Sequence, residues 1–311
     1  MTPATKGRLI AAIALPLLLL NAFPAHAAQT PASHGIEHTS GSITLMDHIS
    51  IIPMGAGSPV FLIPGLSSPR DVWDGVAHQL AEKHTVYLVQ VNGFGGDAPR
   101  ANLKPGILDG IVADLDAYIT TNKVKGAAIA GHSLGGLVGL MFAKAHPDHL
   151  SRLMVVDSLP FYGTMFGPAT TVAMVEPRGK AMRDQMIAAH GKPADPATAE
   201  AVANSLALKP DSRAKVKAWA MAADPRVTGE AMYEDLTTDL RPDLPTIKTP
   251  ITLVYPWAAA VPKERADMLY KGAYAAAPTM IYVDIGDSAH FIMLDQPAAF
   301  AAALEAFAGA N

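Results

Sequence analysis

The sequence predicts an α/β fold with a mostly parallel, doubly wound sheet and an inserted helical segment. Three observations carry this prediction. Short apolar runs alternate with helical periodicities up to residue 158 and again after residue 245. Between them, residues 161–244 contain no convincing strand pattern. A small apolar strand, a Gly-His-Ser-Leu-Gly turn and an apolar helix follow one another over residues 127–138. Such alternation predicts parallel strands with helices on both faces.

Residues 1–27 have the pattern of a secretory signal peptide. Lys6 and Arg8 precede an apolar stretch at residues 9–20, and residues 25–27 (Ala-His-Ala) offer a cleavage site. The stretch is too short to span a bilayer comfortably. We expect cleavage after Ala27, export to a bacterial periplasm or secretion, and no stable membrane insertion afterwards. An uncleaved N-terminal anchor is the alternative.

Composition narrows the function classes. The chain has 311 residues, a formal net charge of -4 and no cysteine. It is long enough for one large α/β domain. The slight acidity, without any basic stripe, gives no reason to expect nucleic acid as a partner. The absence of cysteine excludes disulfides and thiolate chemistry. No metal constellation or phosphate-binding glycine loop is visible, so we expect no cofactor and no metal. The sequence indicates no particular oligomeric state.

The first part of the predicted core covers residues 28–158. Predicted strands lie at residues 43–51, 60–63, 85–91, 127–130 and 153–156. The first is a strand or hairpin because it alternates partially, and the others are near-continuous apolar runs suited to a buried parallel sheet. A helix is predicted over residues 72–82, where Val72, Val76 and Leu80 share one face, and another around residues 108–119.

Residues 159–245 are predicted to form a helical cap, and residues 246–311 the second part of the core. Helical patterns in the cap cover residues 180–190 and 197–208. In the second part of the core, strands are predicted at residues 251–255 and 280–285, and helices at residues 264–271 and 297–307.

Ser133 is the predicted nucleophile. It lies at the apex of a strand–turn–helix sequence, where glycines on both sides let the chain pass close by. The first amides of the following helix are unpaired and carry the positive end of the helix dipole, so they suit an oxyanion. The alternative is an ordinary serine in a glycine-rich turn.

His290 is the predicted general base. A serine hydroxyl is a poor nucleophile at neutral pH and needs a base within hydrogen-bond reach. His290 follows the last predicted strand by a short loop, which places it at the carboxyl edge of the sheet, where ligands collect in open α/β folds. His132 neighbours Ser133 in sequence but is expected to point away from it. A surface-loop role for His290 is the alternative.

These motifs resemble the α/β-hydrolase superfamily, in its serine-nucleophile, esterase-like branch with a helical cap. The resemblance runs from about residue 60 to the C-terminus and is strongest at residues 131–136 and 290–297, with support from residues 64–66 and 91–95. It implies an eight-stranded, mostly parallel sheet. It also implies an oxyanion hole formed by the backbone N–H groups of Leu66 and Leu134.

The triad acid is where the sequence departs from the superfamily. The usual acid follows the strand at residues 251–255, but residues 256–262 contain no carboxylate. In some members the acid instead ends the strand after the nucleophile helix, a position that Asp157 occupies here. Glu264 is the alternative, although a carboxylate at a predicted helix start is already explained by the helix dipole. Asp287 is too close in the chain to His290 to orient it easily. A degraded triad is the remaining possibility.

The cap should decide the substrate, because methionine adapts to varied apolar shapes. It contains the residues Phe161, Tyr162, Met165, Phe166, Met174, Met182, Met186, Trp219, Met221 and Met232. They predict a plastic hydrophobic pocket, or they merely hold the cap helices to the core. No acidic cluster in the cap obviously awaits a free amino terminus.

The predicted function is that of an exported carboxylesterase, cleaving small to medium apolar esters through an acyl-enzyme on Ser133. A serine at this turn disfavours the dehalogenase and epoxide hydrolase branches of the superfamily, which need an aspartate there. The expected partner is a small-molecule ester. The alternatives are an iminopeptidase-like serine aminopeptidase, a C–C bond hydrolase, and a non-catalytic binding protein with a degraded triad.

Overall fold

The computed structural model describes residues 41–192 and 195–310 and contains one eight-stranded sheet. The strands are β1 (Thr44–Leu45), β2 (Ile49–Met54), β3 (Ser58–Ile63), β4 (His84–Val91), β5 (Ala127–His132), β6 (Leu150–Val156), β7 (Ile251–Trp257) and β8 (Met280–Gly286). Their order is β1-β2-β4-β3-β5-β6-β7-β8. The pairs β1–β2 and β2–β4 are antiparallel, and all others are parallel. The predicted fold class is thus confirmed, with the first predicted strand resolved as a hairpin.

Helices cover both faces of this sheet. Those in the core are α1 (Asp74–Ala81), α2 (Ile107–Thr121), α3 (Leu134–Ala145), α8 (Lys263–Ala273), the short α9 (Ile292–Asp295) and α10 (Pro297–Ala308). Between β6 and β7 lie α4 (Val172–Ala188), α5 (Pro196–Leu206), α6 (Pro210–Ala222) and α7 (Pro225–Thr237), which we call the helical segment. No strand occurs among its described residues.

The central strands are buried on both faces, which explains why their sequences are continuously apolar. In β3, Phe61 and Ile63 pack into one cluster with residues of α2 and α3. Val60 and Leu62, which alternate with them, pack into a second cluster with residues of α1 and α10. The sheet therefore lies between two apolar layers that fix its carboxyl edge in place.

The helical segment differs in detail from its prediction. Helix α4 begins eight residues before the predicted start at residue 180 and contains Pro177. The helices α5, α6 and α7 each begin with a proline, at Pro196, Pro210 and Pro225. Proline suits the first helical position because its missing N–H would have no partner there and its φ is already helical. These prolines divide the segment into separate helices, a signal that apolar periodicity alone did not reveal.

Two carboxylates, Glu234 and Asp295, attach the helical segment to the core. Glu234 of α7 accepts hydrogen bonds from the first amides of α2, at residues 106–108, over 2.6 to 3.1 Å. Asp295 is fully buried and accepts from the amides of Leu208 and Lys209, and also from Ala289 beside His290. The segment is therefore held directly against the carboxyl edge of the sheet.

The predicted signal peptide, residues 1–27, lies outside the described residues. Within residues 41–192 and 195–310, none of the helices has both the length and the apolar character that crossing a membrane requires.

Candidate active site

Ser133 lies in a strained turn between β5 and α3. Its φ of +53° and ψ of −121° are unusual for a residue with a side chain. Its amide N–H donates to the carbonyl of Val156, at the end of the neighbouring strand β6, over 2.9 Å. The sharp turn holds the half-buried hydroxyl at the carboxyl edge of the sheet, as the sequence motif predicts.

The loop after β3 lies against the same turn. A Cβ on Gly65 would be 3.0 Å from the Cβ of Ser133, and a Cβ on Gly135 would be 2.5 Å from the carbonyl oxygen of Ile63. Backbone from two loops therefore meets here with no space for a further carbon atom. This close approach brings the amide of Leu66 to the nucleophile turn.

Gly135→Ala is therefore expected to lower the free energy of unfolding by about 1–3 kcal/mol, because backbone must shift to admit the methyl group. Urea denaturation would measure the change. Gly75→Ala is the matched control, since nothing lies within 4 Å of a Cβ at that position of α1. This control should raise stability by up to about 1 kcal/mol. An equal response of the two variants would contradict the close packing of the turn.

Asp157 and His290 form a hydrogen-bonded pair at the same edge. Asp157 follows β6 directly, and His290 lies four residues after β8. His290 Nδ1 and Asp157 Oδ2 are 2.6 Å apart, and both side chains are about one-tenth exposed. The other oxygen of Asp157 accepts a hydrogen bond from the hydroxyl of Tyr270. Since an ionised carboxylate only accepts, Nδ1 carries the imidazole proton and Nε2 has a free lone pair.

The charge of Asp157 is stabilised in this site. Burial alone would raise the pKa of its carboxyl group. The adjacent His290, together with hydrogen bonds from His290 and Tyr270, outweighs burial and leaves the pKa of Asp157 below its ordinary value. The carboxylate therefore remains ionised at neutral pH and can hold the imidazole in one orientation.

Ser133, Asp157 and His290 line one cavity of ≈ 510 Å³. Among the described residues, no hydrogen bond joins the hydroxyl of Ser133 to the imidazole. Catalytic hydrogen bonds often tighten only when substrate binds. The amides of Leu66 and Leu134 likewise donate no hydrogen bond within the described residues. Leu134 opens α3, so its N–H points out of the positive end of the helix.

The other carboxylates considered for the acid lie elsewhere. Glu264 is exposed in the first turn of α8, and Asp287 is exposed in the loop after β8. Neither lines the cavity. The structure thus pairs His290 with Asp157 and brings neither alternative to the imidazole.

His132 holds the backbone of His290 in place through a hydrogen bond, a role that the sequence did not indicate. The His132 side chain is fully buried, and its Nε2 donates to the carbonyl oxygen of His290 over 2.9 Å. Its Nδ1 has no partner within the described residues. Burial, together with the neighbouring imidazole of His290, lowers the pKa of His132 to about 3. His132 is therefore neutral in the folded protein and fixes the backbone that carries His290.

The burial of His132 makes the stability of the fold depend on pH. An unfolded histidine binds a proton near pH 6.5, whereas folded His132 does so only near pH 3. Between these values the unfolded state binds more protons, so stability falls as the pH falls. His132→Gln keeps a neutral donor and should reduce the loss between pH 7 and pH 5 by about 2 kcal/mol. Urea denaturation at both pH values measures it. Identical pH dependence of the two proteins would contradict the assignment.

The cavity wall is largely apolar and draws on the helical segment. Of the ten residues that the sequence predicted to form a pocket, five line it, namely Tyr162, Met165, Met186, Trp219 and Met232. Three others are exposed, namely Phe166, Met174 and Met221. Phe161 is buried under the guanidinium of Arg241, and Met182 packs beside Met186 and Met232. The segment therefore both shapes the cavity and packs on the core.

Asp235 of α7 also lines the cavity, and no motif in the sequence predicts this role. Burial raises the pKa of its carboxyl group to about 7, although the nearby His290 acts in the opposite direction. It is the one carboxyl group other than Asp157 among the described residues that line the cavity.

A separate cluster of three titratable side chains lies at the opposite edge of the sheet. Nδ1 of His146 and Nδ1 of His149 are 3.1 and 2.8 Å from Oδ1 of Asp116. The sequence predicted no metal site, and these three side chains could hold an ion. Asp116 lies in α2, whereas His146 and His149 lie between the end of α3 and the start of β6, and none of the three lines the cavity.

Comparisons with known proteins agree with this architecture. The model of the alpha/beta hydrolase family matches residues 60–303. A pimeloyl-[acyl-carrier protein] methyl ester esterase of Aeromonas hydrophila is 31% identical over 37% of this chain and 43% of its own. An N-formylmaleamate deformylase of Pseudomonas putida is 30% identical over 33% of this chain and 38% of its own. The chain thus matches less than half of either relative.

A solved structure matches over a longer span. A thermophilic esterase of Thermogutta terrifontis superposes with a TM-score of 0.69 at 19% identity, covering 85% of this chain and 97% of that one. At this identity the likeness concerns the fold alone. Because the family match spans most of the sequence and the eight-stranded sheet agrees with it, the chain belongs to the alpha/beta hydrolase family.

Proposed function

We propose that the protein is a serine hydrolase that cleaves small to medium apolar carboxylic esters through an acyl-enzyme on Ser133. The observation that carries this proposal is the 2.6 Å hydrogen bond between His290 and Asp157, in the cavity that Ser133 also lines. A nucleophile, a base and a group that orients the base are the three parts that acyl transfer by serine requires.

In the first half of the reaction, Ser133 Oγ forms a bond to the ester carbonyl carbon while Nε2 of His290 takes the hydroxyl proton. The carbonyl oxygen becomes negative and accepts hydrogen bonds from the amides of Leu66 and Leu134. His290 then gives its proton to the departing alcohol as the carbon–oxygen bond breaks. Asp157 stabilises the imidazolium that forms in between and keeps its own charge.

In the second half, water replaces the alcohol. His290 removes a proton from water, and the resulting oxygen attacks the acyl carbon. The tetrahedral intermediate uses the same two amides, and collapse returns the proton to Ser133 as the carboxylic acid leaves. No group other than the named residues, ester and water is required to balance either half.

The cavity supports the choice of substrate. Its ≈ 510 Å³ suits a small to medium molecule, and its wall consists mainly of apolar side chains. The adaptable Met165, Met186 and Met232 favour apolar acyl or alcohol groups of varied shape. One relative, the Aeromonas enzyme, is named as a methyl ester esterase.

The proposal includes the domain organisation and the location of the protein. Residues 159–245 act as a cap over the nucleophile, and residues 1–27 direct export before cleavage after Ala27. N-terminal sequencing of the protein recovered from periplasm or medium tests the second part. Recovery of uncleaved chain from the membrane fraction alone would contradict export as a free protein.

Covalent labelling tests the hydrolase itself. A fluorophosphonate should label the full-length protein at Ser133, as located by mass spectrometry of its peptides, and the label should block hydrolysis of p-nitrophenyl butyrate. Heat-unfolded protein is the control for non-specific labelling. Absence of both label and turnover would favour a non-catalytic binding protein. Faster cleavage of aminoacyl-naphthylamides than of any ester would favour the aminopeptidase alternative.

A further inference from the structure

Asp235 and Asp157 are the two carboxyl groups among the described residues that line the largely apolar cavity. Asp235 follows Tyr233 and Glu234 near the end of α7, next to Leu236. Leu236 packs in a cluster with Met182, Met186 and Met232, against which Leu66 and Tyr162 also pack. Asp235 is enclosed by protein but keeps part of its surface open to the cavity.

Asp235 has no partner in the described part of the chain. No hydrogen bond or ion pair reaches its carboxyl group from residues 41–192 or 195–310. Other carboxylates of the same region are paired. Asp224 bonds to Arg226, Glu230 faces Arg183 at 3.7 Å, and Glu234 accepts the α2 amides. An enclosed carboxyl group without a partner is costly to keep, so a bound molecule is the natural source of its hydrogen bonds.

Tyr162 lines the same cavity and packs against the apolar cluster that contains Met232 and Leu236 of α7. Its hydroxyl makes no hydrogen bond within the described residues. Burial, together with the charges of Asp235 and Asp157, raises the pKa of Tyr162 above its ordinary value. The hydroxyl is therefore a neutral donor and acceptor. Tyr162 and Asp235 line the same cavity as Ser133, Asp157 and His290.

We propose that Asp235, with Tyr162 in the same cavity, is a binding subsite for a hydrogen-bond donor carried by the substrate, a hydroxyl or an amine on its acyl or alcohol part. The inference rests on the proposed function and narrows it, from apolar esters in general to esters that bear such a donor. The carboxyl group accepts a hydrogen bond whether ionised or protonated, and Tyr162 completes the site for a hydroxyl group, which both donates and accepts.

Esters of matched shape test the subsite. Ethyl 3-hydroxybutyrate and ethyl 3-methylbutyrate differ by one hydroxyl for one methyl on the acyl side. The esters 2-hydroxypropyl butyrate and isobutyl butyrate differ likewise on the alcohol side. Ethyl 3-aminobutyrate supplies the amine. In at least one pair the donor-bearing ester should have a kcat/KM about tenfold above that of its methyl partner.

Variants assign this preference to Asp235. Asp235→Leu should remove the preference while the methyl-bearing ester is still cleaved. Asp235→Asn should keep the preference for a hydroxyl and lose any preference for an amine. Glu176→Leu is the control, because Glu176 is an exposed carboxylate of α4 whose contact is with Tyr233. Equal cleavage within both pairs by wild type, or a preference that survives in Asp235→Leu, would overturn the subsite.

Binding provides a readout that does not depend on turnover. Trp219 and Trp257 line the cavity, so tryptophan fluorescence of Ser133→Ala should report ester binding. In at least one of the two pairs the hydroxyl-bearing ester should bind more tightly than its methyl partner, and Asp235→Leu on this background should abolish the difference. If wild type cleaves no ester but this difference persists, the hydrolase proposal fails and the subsite stands. Without the difference, the subsite fails whatever the activity.

Discussion

Replacing Ser133 with alanine is expected to lower kcat for p-nitrophenyl butyrate by about 10⁶-fold and to abolish fluorophosphonate labelling. Without the hydroxyl there is no group to carry the acyl intermediate, and water must attack the ester directly. The amides of Leu66 and Leu134 would still stabilise the oxyanion, so a small rate above the uncatalysed reaction should remain.

The fold should tolerate this change. The hydroxyl of Ser133 makes no hydrogen bond to another side chain within the described residues, and alanine adopts the same backbone conformation at similar cost. Thermal unfolding and circular dichroism check that point. Ser151→Ala is the matched control, since Ser151 lies at the start of β6, at the opposite edge of the sheet. Loss of activity in Ser151→Ala, or its retention in Ser133→Ala, would contradict the assigned nucleophile.

The sequence predicts most of this fold because the signals for it are local. The strands at the centre of the sheet are buried on both faces, so β3 and β5 are apolar at nearly every position. The helices of the helical segment are harder to predict from sequence. Their side chains line the cavity and also contact the other helices of the segment, so their faces carry a mixture of apolar and polar residues. In α4, Pro177 interrupts the apolar pattern although the helix continues through it.

The residues of the site likewise differ in how local their sequence signals are. Ser133 is marked by three consecutive elements, so its turn is recognisable within twelve residues of sequence. The pairing of His290 with Asp157 joins positions 133 residues apart, and only the strand order brings them together. The Gly-x-Ser-x-Gly pattern of the turn does not specify a histidine at His132, and Asp235 belongs to no motif. Each is an ordinary residue of a strand or helix until the neighbouring elements enclose it, and so sequence reasoning missed both.

The acid of the predicted triad is the position where the residues of this chain depart most from the superfamily pattern, and Asp157→Asn tests it. We expect kcat to fall by about 10⁴-fold. The oxygen of the new amide would still accept the hydrogen bond from Tyr270. Its NH₂ group would then face Nδ1 of His290, which must become an acceptor. The imidazole proton would move to Nε2, leaving no lone pair there to receive the proton of Ser133.

Two measurements separate this tautomer effect from a loss of structure. The ¹⁵N chemical shifts of His290 should report a proton on Nδ1 in wild type and on Nε2 in Asp157→Asn at neutral pH. The pH dependence of the free energy of unfolding should also change, in the direction that the lowered pKa of Asp157 requires. The ionised carboxylate stabilises the folded state above its unfolded pKa, and this contribution is lost as the pH falls through the folded value. Asp157→Asn should therefore be less sensitive to acid than wild type.

Glu264→Gln is the matched control for the acid, because Glu264 is exposed on α8 and does not line the cavity. Its activity should equal that of wild type. Full activity in Asp157→Asn would show that His290 needs no carboxylate from β6, and a large loss in Glu264→Gln would move the acid to α8. The expected pattern, a loss confined to Asp157→Asn together with the change of tautomer, depends on the hydrogen bond between Asp157 and His290, which joins the two halves of the core.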